Sequence, residues 1–255
     1  MVRGRAVAAS ASIAVLFSAC GSTAPASQNP SALSGSITVF AASSLTAAFT
    51  TTAADFQKIH PGTMVKLTFA GSSTLVAQIQ QGAIGDLFAS ADQPNMQKLV
   101  DAGLIAGSRS IFAHNSLQIV VGAGNPKHIT ALADLSRSGL VVLLCAPGVP
   151  CGRYAAQALQ KAGVSVTPAS QEADVKAVVS KVALGEADAG IVYVTDVKAG
   201  AGVQGVNIPP ALNVVADYPV AVLKDSQNVP LAEAFVSYLL ADGQRTLARY
   251  GFTSP

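Results

Sequence analysis

Charge is scarce in this chain: Lys, Arg, Asp and Glu make up 12% of its 255 residues, and Lys and Arg form no run. A nucleic-acid partner needs a surface that neutralises phosphates, and this composition offers none. Setting Arg3 and Arg5 aside from the 16 basic residues leaves 14, matched by 14 Asp and Glu, so the rest of the chain is formally neutral. Long apolar runs are missing after Cys20, where Gly and Pro break every stretch before it reaches membrane-spanning length. No periodic repeat occurs. Histidine is limited to His60, His114 and His128, none with a second ligand at metal spacing. A Gly-x-Ser-x-Gly elbow is also lacking, which argues against a serine hydrolase.

What is present begins with an export segment. Arg3 and Arg5 precede the Ala-rich apolar stretch Ala6 to Phe17, and the small residues Ser18 and Ala19 lead into Cys20. Residues 1–19 read as a signal peptide. Ending on Cys20, the segment resembles a bacterial lipoprotein signal, in which that cysteine carries lipid and becomes the new N-terminus. It departs from the pattern in having Phe17 where Leu is usual, and plain secretory cleavage is the alternative. Residues 20–35, uncharged and rich in Ser, Ala and Pro, suit a flexible tether. The expected location is therefore extracytoplasmic, anchored to the cell membrane. The two remaining cysteines, Cys145 and Cys151, would meet an oxidising compartment and read as a small loop disulfide. Two buried free thiols are the alternative, and the lack of a nearby His argues against metal.

About 220 residues remain, enough for one large or two modest cores. Short β-branched runs alternate with amphipathic segments, which is the α/β pattern. Strands are expected at Ile37–Phe40, Val65–Phe69, Asp86–Ser90, Leu117–Val121, Leu140–Leu144, Ala189–Val194 and Val214–Leu223. Helices are expected between them, including Glu172–Leu184, Val229–Ala241 and Gln244–Tyr250. Continuous apolar strands imply mostly parallel sheets covered by helices on both faces. The expected organisation is two lobes, 36–115 with 219–255 and 116–218, with a ligand in the cleft between them.

Three turns place small polar residues after a strand and ahead of a helix: Ala42-Ser43-Ser44-Leu45, Gly71-Ser72-Ser73-Thr74 and Gly148-Val149-Pro150-Cys151-Gly152. Ligands of open α/β sheets bind at such carboxyl ends, where helix N-termini present unpaired N–H groups and partial positive charge. Each serine alone reads first as a helix cap, and Tyr193 alone as a half-buried core residue; only their repetition brings a binding role level with that reading. His60 reads as a surface helix end, while His114 and His128 sit near apparent turns. Asp86 and Asp92 read as structural acceptors, and Arg153 as a solvated residue with a weak role in attracting anions.

The turns also carry a resemblance. Val39-Phe40-Ala41-Ala42-Ser43-Ser44-Leu45-Thr46 and Phe69-Ala70-Gly71-Ser72-Ser73-Thr74-Leu75 resemble the two serine turns of the periplasmic molybdate-binding proteins of ABC importers. Val149-Pro150-Cys151-Gly152-Arg153-Tyr154-Ala155, Glu172-Ala173-Asp174-Val175, Gly190-Ile191-Val192-Tyr193 and Tyr218-Pro219-Val220-Ala221-Val222 continue it, from Ile37 to the C-terminus.

The resemblance implies a two-lobed periplasmic-binding-protein fold closing on molybdate or tungstate, with no cofactor and no catalysis. Ser44 and Ser72 would supply hydroxyl and backbone donors, Cys151 and Val175 backbone N–H groups, and Tyr193 its phenol. Partners would be the oxyanion, the membrane through lipid on Cys20, and ABC permease subunits that receive the anion from a monomer. Cys151 stands where relatives often have Ala, a change that leaves a backbone N–H in place. Another tetrahedral oxyanion such as sulfate is the near alternative. A secreted serine hydrolase using Ser44 or Ser72 is the remote one, since neither has a His base at hand.

Overall fold

The structure, a computed structural model, describes residues 33–255 together with Met1, Val2, Gly4 and Ala6. The signal peptide, Cys20 and nearly all of the tether therefore lie outside the described residues. No helix among the described residues is long and apolar enough to cross a membrane.

From the start of the folded unit, β1 (Gly35–Ala42) runs through a 3₁₀ turn (Ser43–Leu45) into α1 (Thr46–Ile59). The buried face of α1 holds Ala48, Phe49, Thr52, Ala53 and Phe56, a stripe at helical spacing. Phe49 and Phe56 are fully buried, each contributing about 1.5–3 kcal/mol of apolar transfer. There follow β2 (Thr63–Ala70), α2 (Ser72–Gln80), β3 (Leu87–Ala89) and α3 (Gln93–Asp101). Asp92 caps α3 by accepting from the Asn95 N–H. The 18-residue β4 (Ile105–Gly122) comes next.

Beyond β4 lie β5 (Val142–Cys145), α4 (Pro150–Lys161), β6 (Ser170–Glu172), α5 (Val175–Ala183), β7 (Ala189–Tyr193), α6 (Val194–Ala199) and β8 (Val203–Asn207). The chain then returns through β9 (Val215–Leu223), α7 (Val229–Leu240) and α8 (Gln244–Arg249). The strands follow the order β2-β1-β3-β9-β4-β7-β5-β6, with β8 also on β4.

The outer ladders are parallel: β1 with β2 and β3, and β5 with β6 and β7. The middle is antiparallel, because β9 pairs with β3 and β4, and β4 with β7 and β8. The α/β sheet flanked by helices stands, but as a mixed sheet whose antiparallel centre comes from two long strands crossing between the halves. Along β4 the partner changes at one point: residues through Ser116 pair with β9, and from Leu117 onward with β7 and β8.

Several element boundaries differ from the sequence reading. The helix expected from Glu172 starts at Val175, because Ser170–Glu172 joins the ladder on β5 and Asp174 caps the helix by accepting from Ala177 N–H. The strand expected at Leu117–Val121 is the far end of β4, whose first half carries Gly107-Ser108-Arg109-Ser110 and shifts register against β9. His114 consequently sits inside β4 rather than at a turn, its Nδ1 2.8 Å from Asp217. The run Leu140–Leu144 becomes a strand only from Val142, and α6 and β8 were not anticipated.

Candidate functional site

β1 and β2 are parallel neighbours, so their carboxyl ends carry the two serine turns to the same edge of the sheet. Neither serine caps its helix: the positions ahead of the 3₁₀ turn and of α2 are Ala42 and Gly71, and no side-chain cap bond forms at either. Ser44 and Ser72 are buried, which an exposed cap would not require. Ser72 Oγ accepts from the Ala91 N–H at 3.0 Å, and Ser44 Oγ lies 2.9 Å from the Tyr218 hydroxyl. A hydroxyl that accepts from the protein keeps its own proton for another partner.

The facing side is made of helix starts. Pro150 and Cys151 open α4, and Val175 opens α5. The first N–H groups of a helix have no acceptor within it, and Pro150 contributes none, so Cys151 and Val175 are the leading free donors. A disulfide joins Cys145, the last residue of β5, to Cys151. Gly152 lies against the Cys145 and Ala146 carbonyls, where a Cβ would collide with backbone. Tyr193, at the end of β7, is 1% exposed, and its hydroxyl finds no hydrogen-bond partner among the described residues. Burial pushes its phenol well above the ordinary range, helped by Tyr218 and Tyr154 nearby, so it stays a donor.

These elements surround one small cavity of about 10 Å³, lined by Ser44, Ser72, Cys151, Val175 and Tyr193 together with Ala42, Ser43, Gly71, Ala91, Val149 and Pro150. The structure thus brings all five residues singled out from the sequence to one place. None of the lining residues is charged. The arrangement offers hydroxyl and N–H donors with the partial positive charge of helix starts, which is chemistry for holding an anion. A larger open groove lies elsewhere, on α1, α7 and α8. There Asp55, Lys58, Asp242, Arg245 and Arg249 mix both signs and pair among themselves, so the groove selects no charge.

Charge does stand behind the lining. Arg153 is not a solvated residue. Its guanidinium pairs with Asp92, which is fully buried and also accepts from Asn95, so the pair ties α4 to the start of α3. Asp86 accepts from Thr38 N–H, Ser226 Oγ and the Gln227 and Asn228 N–H groups, tying β1 to the loop after β9. Asp196, also fully buried, accepts from Tyr193 N–H, and Lys176 lies 3.3 Å away. Burial raises its carboxyl to about 6 despite the pull of Lys176. His60 ends α1 and packs on Phe56, with ring centroids 4.5 Å apart.

Residues 37–253 match the family described as bacterial extracellular solute-binding proteins. The molybdate-binding protein ModA of Mycobacterium tuberculosis is 45% identical over 241 residues, covering 93% of this chain and 92% of that protein. The chain belongs to this solute-binding family, among the ModA proteins. Two solved structures share its fold. The periplasmic molybdate-binding protein of Azotobacter vinelandii matches with a TM-score of 0.73 and 23% identity, over 86% of this chain and 99% of that one. The sulfate-binding protein SubI of M. tuberculosis matches with the same TM-score and identity, over 86% of each chain. The family is one of binding components of transport systems, not of enzymes, and the hydrolase reading falls with it.

Three features of the cavity escaped the sequence reading. Tyr218 and Asn115 stand behind Ser44, brought there by the β4–β9 crossing, which no local pattern announces. Gly71 lies against the Ala173 carbonyl, so a Cβ there would strike backbone of the opposite side. The one available signal was Gly71 itself, a glycine directly ahead of a helix in place of a capping residue.

Proposed function

We propose that this solute-binding protein captures molybdate, and tungstate with it, and delivers the anion to the permease of an ABC transporter. The observation that carries the reading is a cavity with no charged residue in its lining, into which the buried Tyr193 hydroxyl brings a donor without a partner among the described residues. Molybdate near neutral pH is a dianion with four acceptor oxygens and no proton, and a donor-only site suits it. Charge-assisted hydrogen bonds contribute about 1.5–3 kcal/mol each. Roughly five to seven of them cover micromolar or tighter binding after the cost of association. The strong identity to the M. tuberculosis ModA protein supports the choice of anion.

Ser44 and Ser72 form one face of the site in this reading, and Cys151, Val175 and Tyr193 the other. The faces belong to two lobes, 36–115 with 219–255 and 116–218, that hinge near Ala113–Val120 and Ala216–Val220, where β4 passes from β9 to β7 and β8. The anion favours the closed state by bonding both sides. Lipid on Cys20 and the tether at 20–35 keep the monomer at the membrane, beside the permease. Sulfate is the second reading, since the sulfate-binding SubI protein shares the fold. Both anions are fully deprotonated, so cavity size must separate them.

Titration calorimetry of the folded unit against molybdate, tungstate, sulfate and phosphate tests the proposal. Tight binding is expected for the first two alone. Tight sulfate binding with none for molybdate would replace the anion, and no binding of any of the four would remove the reading. Mass measurement of the membrane-extracted protein and of a Cys20→Ala variant tests the anchor.

A further inference from the structure

Behind the Ser44 hydroxyl lies a buried polar chain that the binding reading does not use. Asn115 is 4% exposed, Thr195 3% and Tyr218 fully buried. Asn115 Oδ1 accepts from the Ser116 N–H at 3.0 Å, which fixes the amide so that Nδ2 points the other way. Nδ2 carries two protons. One goes to Thr195 Oγ1 at 2.8 Å and the other to the Tyr218 hydroxyl oxygen at 3.4 Å. Tyr218 thus faces a donor on one side, and among the described residues its single proton has one acceptor in reach, Ser44 Oγ, 2.9 Å away. Burial holds the Tyr218 phenol well above its ordinary range, so that proton is always there to give.

We infer that Asn115 and Tyr218 form a one-way hydrogen-bond relay that forces the Ser44 hydroxyl to donate into the cavity. Neither residue touches the anion; both position the group that does. Ser72 is set to the same polarity by a simpler device, the Ala91 N–H bonded to its Oγ. Each serine oxygen then already accepts one bond and keeps its proton free for the cavity, so it serves a ligand first as a donor. The relay is therefore a specificity element: a fully deprotonated oxyanion takes both O–H donors, whereas the O–H of hydrogen phosphate must share a serine oxygen that already accepts a bond. The inference rests on the proposed role of Ser44 and extends it to residues on the crossing strands β4 and β9.

A double-mutant cycle with molybdate as the probe tests it, using wild type, Ser44→Ala, Tyr218→Phe and the pair, each checked by thermal melting. Ser44→Ala should weaken binding about tenfold or more, and Tyr218→Phe about fivefold, the size of one oriented hydrogen bond. Without Ser44, Tyr218→Phe should change affinity by less than about twofold, the usual limit of additivity. Asn115→Asp, the same size but an acceptor toward Tyr218, enters a parallel cycle. Its added charge repels the anion with or without Ser44, so coupling isolates the relay. Inorganic phosphate should gain on molybdate in Tyr218→Phe.

Equal losses from Tyr218→Phe in both backgrounds, or no loss in either, would overturn the relay while leaving Ser44 a ligand. An unchanged Ser44→Ala would overturn Ser44 itself and the relay with it. A wild type that ignores molybdate would instead overturn the proposed function.

Discussion

The two sides of the cavity reach the same chemistry by different means. On one side the distinctive donors are side chains, the hydroxyls of Ser44 and Ser72, each filled from behind by a protein donor. On the other they are mainly backbone N–H groups at the starts of α4 and α5, with Tyr193 as the one side chain. The first side depends on residue identity, so a single substitution can remove a donor. The second depends on where the backbone runs, so it tolerates new side chains and fails only when the turn moves. This accounts for a cysteine at 151: its N–H is that of any residue, and its sulfur is spent on the β5–α4 turn.

The largest expected effect comes from where the sides meet. Gly71 packs on the Ala173 carbonyl, and a Cβ there collides with backbone that cannot step aside. Over-packing of this kind costs about 1–3 kcal/mol, so Gly71→Ala should weaken anion binding up to roughly a hundredfold. If the lobes close only on the ligand, the unliganded melting temperature should hardly move. A variant that binds as wild type would show that this contact does not form in the bound state.

Removing one donor from the side-chain face comes next. Ser72→Ala deletes a hydroxyl donor and leaves the Ala91 N–H unbonded, so affinity should fall about tenfold and stability by about 1–3 kcal/mol. Calorimetry and denaturant melts separate the two. The matching change on the backbone face should behave oppositely. Replacing Cys145 and Cys151 together by Ala removes the cross-link of a six-residue separation, worth roughly 2 kcal/mol of stability. Affinity should change less than about threefold, because the Cys151 N–H stays. A large loss of affinity with intact folding would mean that the disulfide, rather than Gly152 and the helix start, holds that turn.

The same contrast governs what could be read in advance. The serine turns were legible because each is a short local pattern, strand then Ser then helix, and β1 and β2 are simple parallel neighbours. Tyr193 was legible as the end of the buried strand Ala189–Tyr193. Arg153 was misread because its partner Asp92 is 61 residues away and buried, and nothing in its own segment marks an ion pair. Tyr218 and Asn115 were invisible for the same reason. They meet across β4 and β9, and the first half of β4 hides behind Gly107, in the left-handed region at φ +69°, and a polar stretch with shifted register. Local periodicity finds elements; long-range crossings decide which polar groups face each other.

The smallest expected effect lies beneath the backbone face. Asp196 is buried against Tyr193 N–H, with Lys176 beside it and the Asp174 charge further off, and burial holds its carboxyl at about 6 against an ordinary value of 3.8. A carboxyl raised on folding binds its proton more tightly in the native state. Its contribution to stability is therefore present below about pH 3.8 and is lost as pH rises through about 6. Asp55, Asp134 and Glu172 shift downward and act in the opposite sense, so the whole protein's profile mixes both. The difference between wild type and Asp196→Asn isolates the one group. Asparagine cannot ionise, so the variant should gain on wild type as pH rises from 4 to 7, by a few degrees of melting temperature at most. A difference that is flat with pH, or runs the other way, would show that Lys176 holds Asp196 ionised throughout and that the Tyr193 turn rests on a permanent ion pair.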